Sequence, residues 1–175
     1  VNRQQWFEQG SSLLKLERWE DALTSFEQAI ALNSNNEEAW YGRGLAFKEL
    51  NRHEEALESF KKAIELNSNN EKASFERGLM EVQREYYEEA LSSFNQVIQL
   101  NCSNHLAWIY RGMILWYELE DNTEALESFD KAIELNSDND FTWFFRGEVL
   151  NELERYEEAL VSFSKAIELS TNDKE

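Results

Sequence analysis

Apolar residues recur along this chain in a pattern that predicts pairs of α-helices. Residues 37–70 carry two apolar stripes whose members are three or four positions apart, the spacing of one helix face. The first stripe is Trp40, Gly44, Leu45 and Phe47, and the second is Ala56, Leu57, Phe60, Ala63 and Ile64. A short polar break around 50–53 separates the stripes. The segment is therefore predicted to form two antiparallel helices.

The same pattern returns five times at a spacing of 34 or 35 residues. The signature residues are Gly10, Gly44, Gly78, Gly112 and Gly147, then Ala22, Ala56, Ala90, Ala125 and Ala159, then Phe26, Phe60, Phe94, Phe129 and Phe163. A period of this length indicates stacked units that share a continuous core. The units are predicted as 3–36, 37–70, 71–104, 105–139 and 140–173. Without proline or a Gly/Ser-rich linker, residues 3–173 are expected to form a single array with no internal boundary.

The segments between units act as helix boundaries. In the run Asn33-Ser34-Asn35-Asn36-Glu37, asparagine tolerates the left-handed backbone that ends many helices. Serine and asparagine can cap the next helix, and glutamate suits its first turn. Within each pair, the glycine and the alanines should let two helices approach closely, and the phenylalanine should fill the space beside them.

On these Gly, Ala and Phe positions the chain resembles the tetratricopeptide repeat family over residues 3–173. The resemblance implies an all-α fold, a right-handed α-solenoid of antiparallel helix pairs. It also implies a concave groove, lined by the first helix of each pair, that binds peptides or protein partners. Two departures stand out. Repeat 3 has Ser74 where the others have tryptophan, and repeat 4 is one residue longer.

The extra residue of repeat 4 is predicted to lie in its first helix. Gly112 and Leu119 are seven positions apart, one more than Gly44 and Leu50, whereas the spacing from the leucine to the next alanine is unchanged. A helix can absorb one residue as a π-bulge, which would re-aim Trp116. The alternative is a turn that starts one residue later.

The family's groove positions hold mainly apolar residues. The candidate partner-binding residues are Phe7, Tyr41, Phe75, Ile109, Phe144, Leu45, Leu79, Met113, Lys72 and Trp116. An exposed apolar stripe of this size, poor in charge, is typical of a binding surface. The alternative is that several of these side chains belong to the core between repeats. A carboxylate clamp is not expected, because only Lys72 among the clamp positions fits one.

Charge and chemistry narrow the function further. The formal net charge of −18 argues against nucleic-acid and anionic-membrane partners. No signal peptide is evident, and the single Cys102 fits a reducing, cytoplasmic compartment. His53 and His105 are isolated, and no phosphate loop or nucleophile–base arrangement appears, so neither enzymatic activity nor a metal or cofactor is expected. The many glutamates of the second helices are interpreted as a solvated face, with a site for basic partners as the alternative.

Arginine precedes the signature glycine in four units. These residues are Arg43, Arg77, Arg111 and Arg146. They could form an anion ladder. The favoured interpretation is that each stem packs within a helix pair while the guanidinium meets an acidic neighbour.

The two ends of the array differ in polarity. Gln5 and Ser12 stand where later units have small or apolar residues, whereas Leu160 and Ile167 remain apolar. The protein is expected either to continue beyond residue 175 or to form a homodimer through this end. Three functions stay open: a peptide-binding interaction module, a self-associating scaffold, and a regulatory segment of a larger protein.

Overall fold

The computed structural model describes residues 2–172, which form ten α-helices and contain no β-strand. The first helices of the five repeats are α1 (Arg3–Lys15), α3 (Glu37–Glu49), α5 (Glu71–Gln83), α7 (His105–Tyr117) and α9 (Asp140–Glu152). The second helices are α2 (Trp19–Leu32), α4 (His53–Leu66), α6 (Tyr87–Leu100), α8 (Asn122–Leu135) and α10 (Tyr156–Asn172). This arrangement confirms the predicted all-α fold. None of these helices has the length and apolar character needed to span a bilayer.

The helices divide into two compact units, with the boundary between Tyr86 and Tyr87. In the first unit, α1 pairs with α2 and α3 pairs with α4, while α3 also packs on α2 and α5 packs on α4. In the second unit, α7 pairs with α8 and α9 pairs with α10, while α7 packs on α6 and α9 packs on α8. Each unit therefore builds its core from successive helix pairs.

Close approach of the helices depends on the signature glycines. A Cβ atom added to Gly44 would lie 2.5 Å from Cε1 of Phe60, and one added to Gly147 would lie 2.6 Å from Cε1 of Phe163. Phe60 itself is fully buried. The prediction that the phenylalanine fills the space beside the glycine is confirmed, because only a residue without a side chain leaves room for the ring.

Asparagine side chains cap the first helices. The N-caps are Asn2, Asn36, Asn70, Asn104 and Asn139, and each side-chain oxygen accepts the backbone N–H three residues later. Tryptophan then ties the helix to the preceding segment, since Nε1 of Trp40 donates to the Ser34 carbonyl at 2.8 Å. Trp108 and Trp143 make the same bond to Cys102 and Ser137. Ser74, at the equivalent position of α5, has no indole N–H to donate this bond.

Left-handed backbone lies inside the helix pairs and not at the junctions, which corrects the sequence prediction. Asn33 ends α2 with an extended backbone at φ −153°, and its Oδ1 accepts the Asn35 N–H at 3.3 Å. This bond between side chain and backbone forms a local turn, so the helix ends there without a positive φ. Among residues 2–172, the residues with positive φ are Glu17, Asn51, Glu85, Glu120 and Glu154, one in the turn that follows the first helix of each repeat.

The predicted π-bulge in repeat 4 is wrong. Helix α7 is 13 residues long, like the other first helices, and the Glu118 N–H still bonds the Ile114 carbonyl at 3.0 Å. The turn after it runs over residues 118–121, one residue longer than in the other pairs, and closes through an Asp121 N–H to Leu115 carbonyl bond of 2.8 Å. A longer turn leaves the helix ladder intact, so it accommodates the insertion without breaking backbone hydrogen bonds.

Ser74 is fully buried on α5, and its hydroxyl oxygen has no hydrogen-bond partner among residues 2–172. A buried, unsatisfied hydroxyl carries its full desolvation penalty. We therefore expect Ser74→Ala to stabilise the protein by about 1 kcal/mol, measured by urea denaturation followed by circular dichroism.

Ser59→Ala is the matched control for this substitution. Ser59 is equally buried, but its hydroxyl donates to the Glu55 carbonyl and accepts from Arg43. Removal of that hydroxyl should lower stability. A loss of stability in Ser74→Ala would contradict the assignment of an unsatisfied group.

Candidate functional site

The first unit contains a cleft of about 810 Å³ between α1, α3 and the first turn of α5. Its lining residues are Phe7, Ser11, Leu14, Lys15, Phe26, Glu37, Glu38, Tyr41, Gly42, Leu45, Asn67, Asn69, Asn70, Glu71 and Lys72. Because α1 and α3 are first helices of successive repeats, their equivalent faces lie side by side. Four predicted site residues thereby come together in one concave surface.

The floor of the cleft is apolar and partly aromatic. The ring of Phe7 packs 6.1 Å from the ring of Phe26, and Tyr41 packs 5.9 Å from Phe60, centroid to centroid. Gly42 lies against the Phe26 ring, where an added Cβ atom would clash with Cζ of Phe26. The absence of a side chain at this position lets the Phe26 ring extend under α3 and keeps the floor open.

Tyr41 is the polar group of the floor. Burial, with a smaller contribution from the negative charge of Glu76, raises the pKa of Tyr41 to about 12. Glu76 is itself half-buried and pairs with Lys48, whose Nζ lies 2.9 Å from Oε2 of Glu76. The Tyr41 hydroxyl consequently stays protonated well above neutral pH and can donate a hydrogen bond to a bound carbonyl or carboxylate.

The rim of the cleft carries charge of both signs. Glu37, Glu38 and Glu71 come from the first turns of α3 and α5. Lys15 and Lys72 line the same cleft and carry the opposite charge. The amide nitrogen of Asn67 donates to Oε1 of Glu37 at 3.3 Å. The expectation of few charges therefore holds for the floor but not for the rim, because the helix-capping segments bring their acidic residues to the cleft edge.

The predicted site residues fall into three groups: those that line the cleft, those outside it that are accessible, and those that are buried. Phe7, Tyr41, Leu45 and Lys72 line the cleft. The side chains outside it that are at least partly accessible are Phe75 and Leu79 on α5, Met113 on α7, and Phe144 on α9.

Ile109 and Trp116 correct the prediction of groove residues. Their side chains are only 8% and 7% exposed. The Trp116 ring packs 6.0 Å from the ring of Phe145, inside the core cluster of the second unit. Both residues support packing and are not accessible contact residues.

Several cleft residues were not among the predicted site residues. Gly42 could have been noticed, because it is the one glycine of six that stands outside the repeat signature. Asn67, Asn69 and Asn70 had no such signal, since their sequence identifies them only as helix boundaries. Their place on the cleft rim follows from the packing of α5 on α4.

The arginine row lies within the helix packing, as the favoured interpretation predicted. Nη1 of Arg43 donates to Ser59 Oγ at 2.9 Å, and its Nε lies 3.7 Å from Glu27 of the preceding helix pair. Arg146 repeats this arrangement with Ser162 at 2.7 Å and Asp130 at 2.6 Å. These arginines join consecutive helix pairs. They do not form an exposed anion ladder.

Comparison with known proteins supports the same fold. The tetratricopeptide repeat model matches residues 7–71, 75–140 and 117–174. A search of curated proteins gives no match. The crystal structure of MamA superposes with a TM-score of 0.88 at 19% identity, covering 94% of this chain and 96% of MamA.

Two further solved structures give the same result. MamA 41-end from Desulfovibrio magneticus RS-1 superposes with a TM-score of 0.89 at 20% identity, covering 99% of this chain and 97% of that one. YrrB, described as a TPR protein with an unusual peptide-binding site, has a TM-score of 0.84 at 26% identity and covers 94% of this chain and 84% of its own. The family model matches nearly the full length, and the structural similarities agree with it, so the chain belongs to the tetratricopeptide repeat family.

Proposed function

We propose that this chain is a protein-interaction module whose first unit binds a peptide segment of a partner protein in the cleft. The observation that carries the proposal is the open, apolar floor formed by Phe7, Tyr41 and Leu45. A cleft of about 810 Å³ is large enough for several side chains, and apolar pockets with a few polar groups are the usual form of binding sites. The similarity to YrrB, a repeat protein with a peptide-binding site, supports this role over catalysis.

The lining indicates what the segment should look like. Apolar side chains would cover the aromatic floor, while backbone carbonyls would accept from the Tyr41 hydroxyl. The rim carboxylates are balanced in part by Lys15 and Lys72, so charge contributes mainly to orientation. We therefore expect a mainly apolar partner segment, either extended or helical, and only a modest loss of affinity with added salt.

Tyr41→Ala should weaken peptide binding by about 2 kcal/mol, because a tyrosine at the centre of a desolvated cleft is a typical hot spot. The probe is the tightest binder selected from a random peptide library displayed on phage. Isothermal titration calorimetry compares the variants with the unmodified chain. Tyr117→Ala is the matched control, since Tyr117 is a 60% exposed tyrosine in the second unit.

A second variant separates binding from folding. Tyr41 also packs against the core of the first unit, so its truncation can lower stability. Ser11→Trp instead adds a ring at the half-exposed edge of the cleft and should block the peptide while circular dichroism stays unchanged. Full affinity in both variants would show that the selected peptide binds elsewhere and would overturn the proposal.

Self-association is the second candidate function. The exposed apolar side chains of α10 favour it. They lie in the second unit, whereas the cleft lies in the first, so the two candidate functions use different surfaces.

A further inference from the structure

One position of the first helices, two residues before the signature glycine, is filled differently from repeat to repeat. It holds Glu8, Gly42, Glu76, Tyr110 and Phe145. Gly42 is the only one of these five residues without a side chain, and it lines the cleft of the first unit. The cleft is therefore open at a place where every other first helix carries a side chain.

In the second unit this position supplies an aromatic ring that packs on a signature phenylalanine. The Tyr110 ring stacks on Phe94, with the centroids 5.1 Å apart and an interplanar angle of 7°. The Phe145 ring stacks on Phe129 with a centroid distance of 5.9 Å and an angle of 27°. Both phenylalanines belong to the preceding repeat, so the added ring covers the contact between two consecutive repeats and contributes beyond its buried area.

The first unit treats the same position in two other ways. On α5 it holds Glu76, whose Oε2 lies 2.9 Å from Nζ of Lys48, so an ion pair occupies that place. On α3 it holds Gly42, and the signature phenylalanine of the preceding repeat is Phe26. These two residues have the same separation in sequence as the stacked pairs of the second unit, and they touch, because an added Cβ atom would clash with the ring. Gly42 itself contributes no ring to cover this contact.

We propose that an aromatic side chain of the bound segment lies over Gly42, in the place that Tyr110 and Phe145 fill in the second unit. The inference rests on the proposed function, since it names the kind of residue that the cleft accepts. Phe7 and Leu45 line the cleft beside this place, so the ring would meet apolar groups. Aromatic rings favour tilted or offset contacts with one another, and the Phe7 ring offers such a partner. A charged side chain at the same place would lose hydration without a partner for its charge.

The shape of the place favours a flat ring over a branched aliphatic side chain. Phe26 already fills the room beneath Gly42 and is only 1% exposed, so the free space lies above the glycine. A ring that lies on the glycine backbone buries more apolar surface there than a smaller side chain can. The Tyr41 hydroxyl, which burial keeps protonated by raising its pKa to about 12, can donate to a backbone carbonyl of the same segment. The ring and this hydrogen bond together would fix the register of the segment.

Variants of the peptide test the kind of residue. The probe is the tightest peptide selected from the displayed random library, and isothermal titration calorimetry measures its affinity for the full chain. The peptide should contain an aromatic residue whose replacement by alanine weakens binding about 30-fold, the loss expected of a hot spot. Replacement of the same residue by leucine should weaken binding about five-fold, because the contact between rings is lost while most of the apolar burial remains.

Nuclear magnetic resonance tests the place of the ring. In a chain that is isotope-labelled only at its glycines, the ring current of the bound aromatic side chain should shift the amide signal of Gly42. The leucine peptide has no such ring at that residue and should shift the signal much less. Gly112 and Gly147 lie in the second unit and are the matched controls, whose signals should not move. This measurement needs no substitution in the protein, so it does not depend on the folding of a variant.

The outcomes separate this inference from the proposed function. A peptide that loses affinity in the Ser11→Trp chain, yet keeps it when its aromatic residues are replaced by alanine, would overturn the aromatic site and leave binding in the cleft intact. An unmoved Gly42 amide signal at saturating peptide would have the same meaning. Full affinity in both the Tyr41→Ala and the Ser11→Trp chains would overturn both proposals.

Discussion

Replacing Phe60 with alanine should destabilise the protein by about 3–5 kcal/mol. The ring is fully buried, and it packs against the Tyr41 ring and the Gly44 backbone in the core of the first unit. Its removal loses the transfer free energy of the ring and leaves a cavity that the surrounding helices can fill only in part. Urea denaturation followed by circular dichroism measures the loss.

Gly44→Ala gives a sharper test of the same contact. In a helix interior, alanine normally stabilises by about 1 kcal/mol relative to glycine. Here the new Cβ would lie 2.5 Å from the Phe60 ring, so we expect a net destabilisation of about 1–3 kcal/mol. Phe60→Leu in the same chain should relieve part of the clash, making the double variant more stable than the sum of the single effects predicts. A stabilised Gly44→Ala protein would show that the ring can move aside.

Arg146→Ala should lower the free energy of unfolding by about 2 kcal/mol. Its side chain is largely buried and bonds Asp130 of the preceding helix pair and Ser162 of its own pair. Truncation removes two hydrogen bonds of a charged group and part of the packing between three helices. Thermal and urea denaturation should both report the loss.

Arg155→Ala is the matched control for Arg146. Arg155 pairs with Glu158 on the same helix, and both side chains are almost half exposed. An exposed pair of this kind contributes little, so stability should stay nearly unchanged. Equal effects of the two substitutions would contradict the structural role of the arginine row.

The repeat period specified most of the fold in advance. Each predicted unit starts at the residue where a first helix begins, because an asparagine cap precedes every one of them. The glycine–phenylalanine contact was also predictable, since ring size and close helix approach are local properties. The placement of the extra residue in repeat 4 was not, because counting from Leu119 cannot show whether that leucine lies in a helix or a turn. It lies in the turn.

The candidate site was predictable only in part, for a related reason. The spacing of residues identifies a helical face, and Phe7 and Tyr41 are predictable from it. Burial depends on how neighbouring helices cross, which spacing does not show, so Ile109 and Trp116 have the spacing of groove residues although they are in the core. The polar rim depends on loop packing, which leaves no periodic trace in the sequence.

The arginine bridges have a consequence for how the array unfolds. A repeat protein behaves as a row of units with a coupling energy between neighbours, so cooperativity is set by its weakest link. Arg43, Arg111 and Arg146 each reach an acceptor on the preceding pair, and those acceptors are Glu27, Asn95 and Asp130. Each bridge must break before its pair can unfold apart from the preceding one, so the bridges raise the coupling energy and extend the length over which unfolding of one repeat spreads to the next.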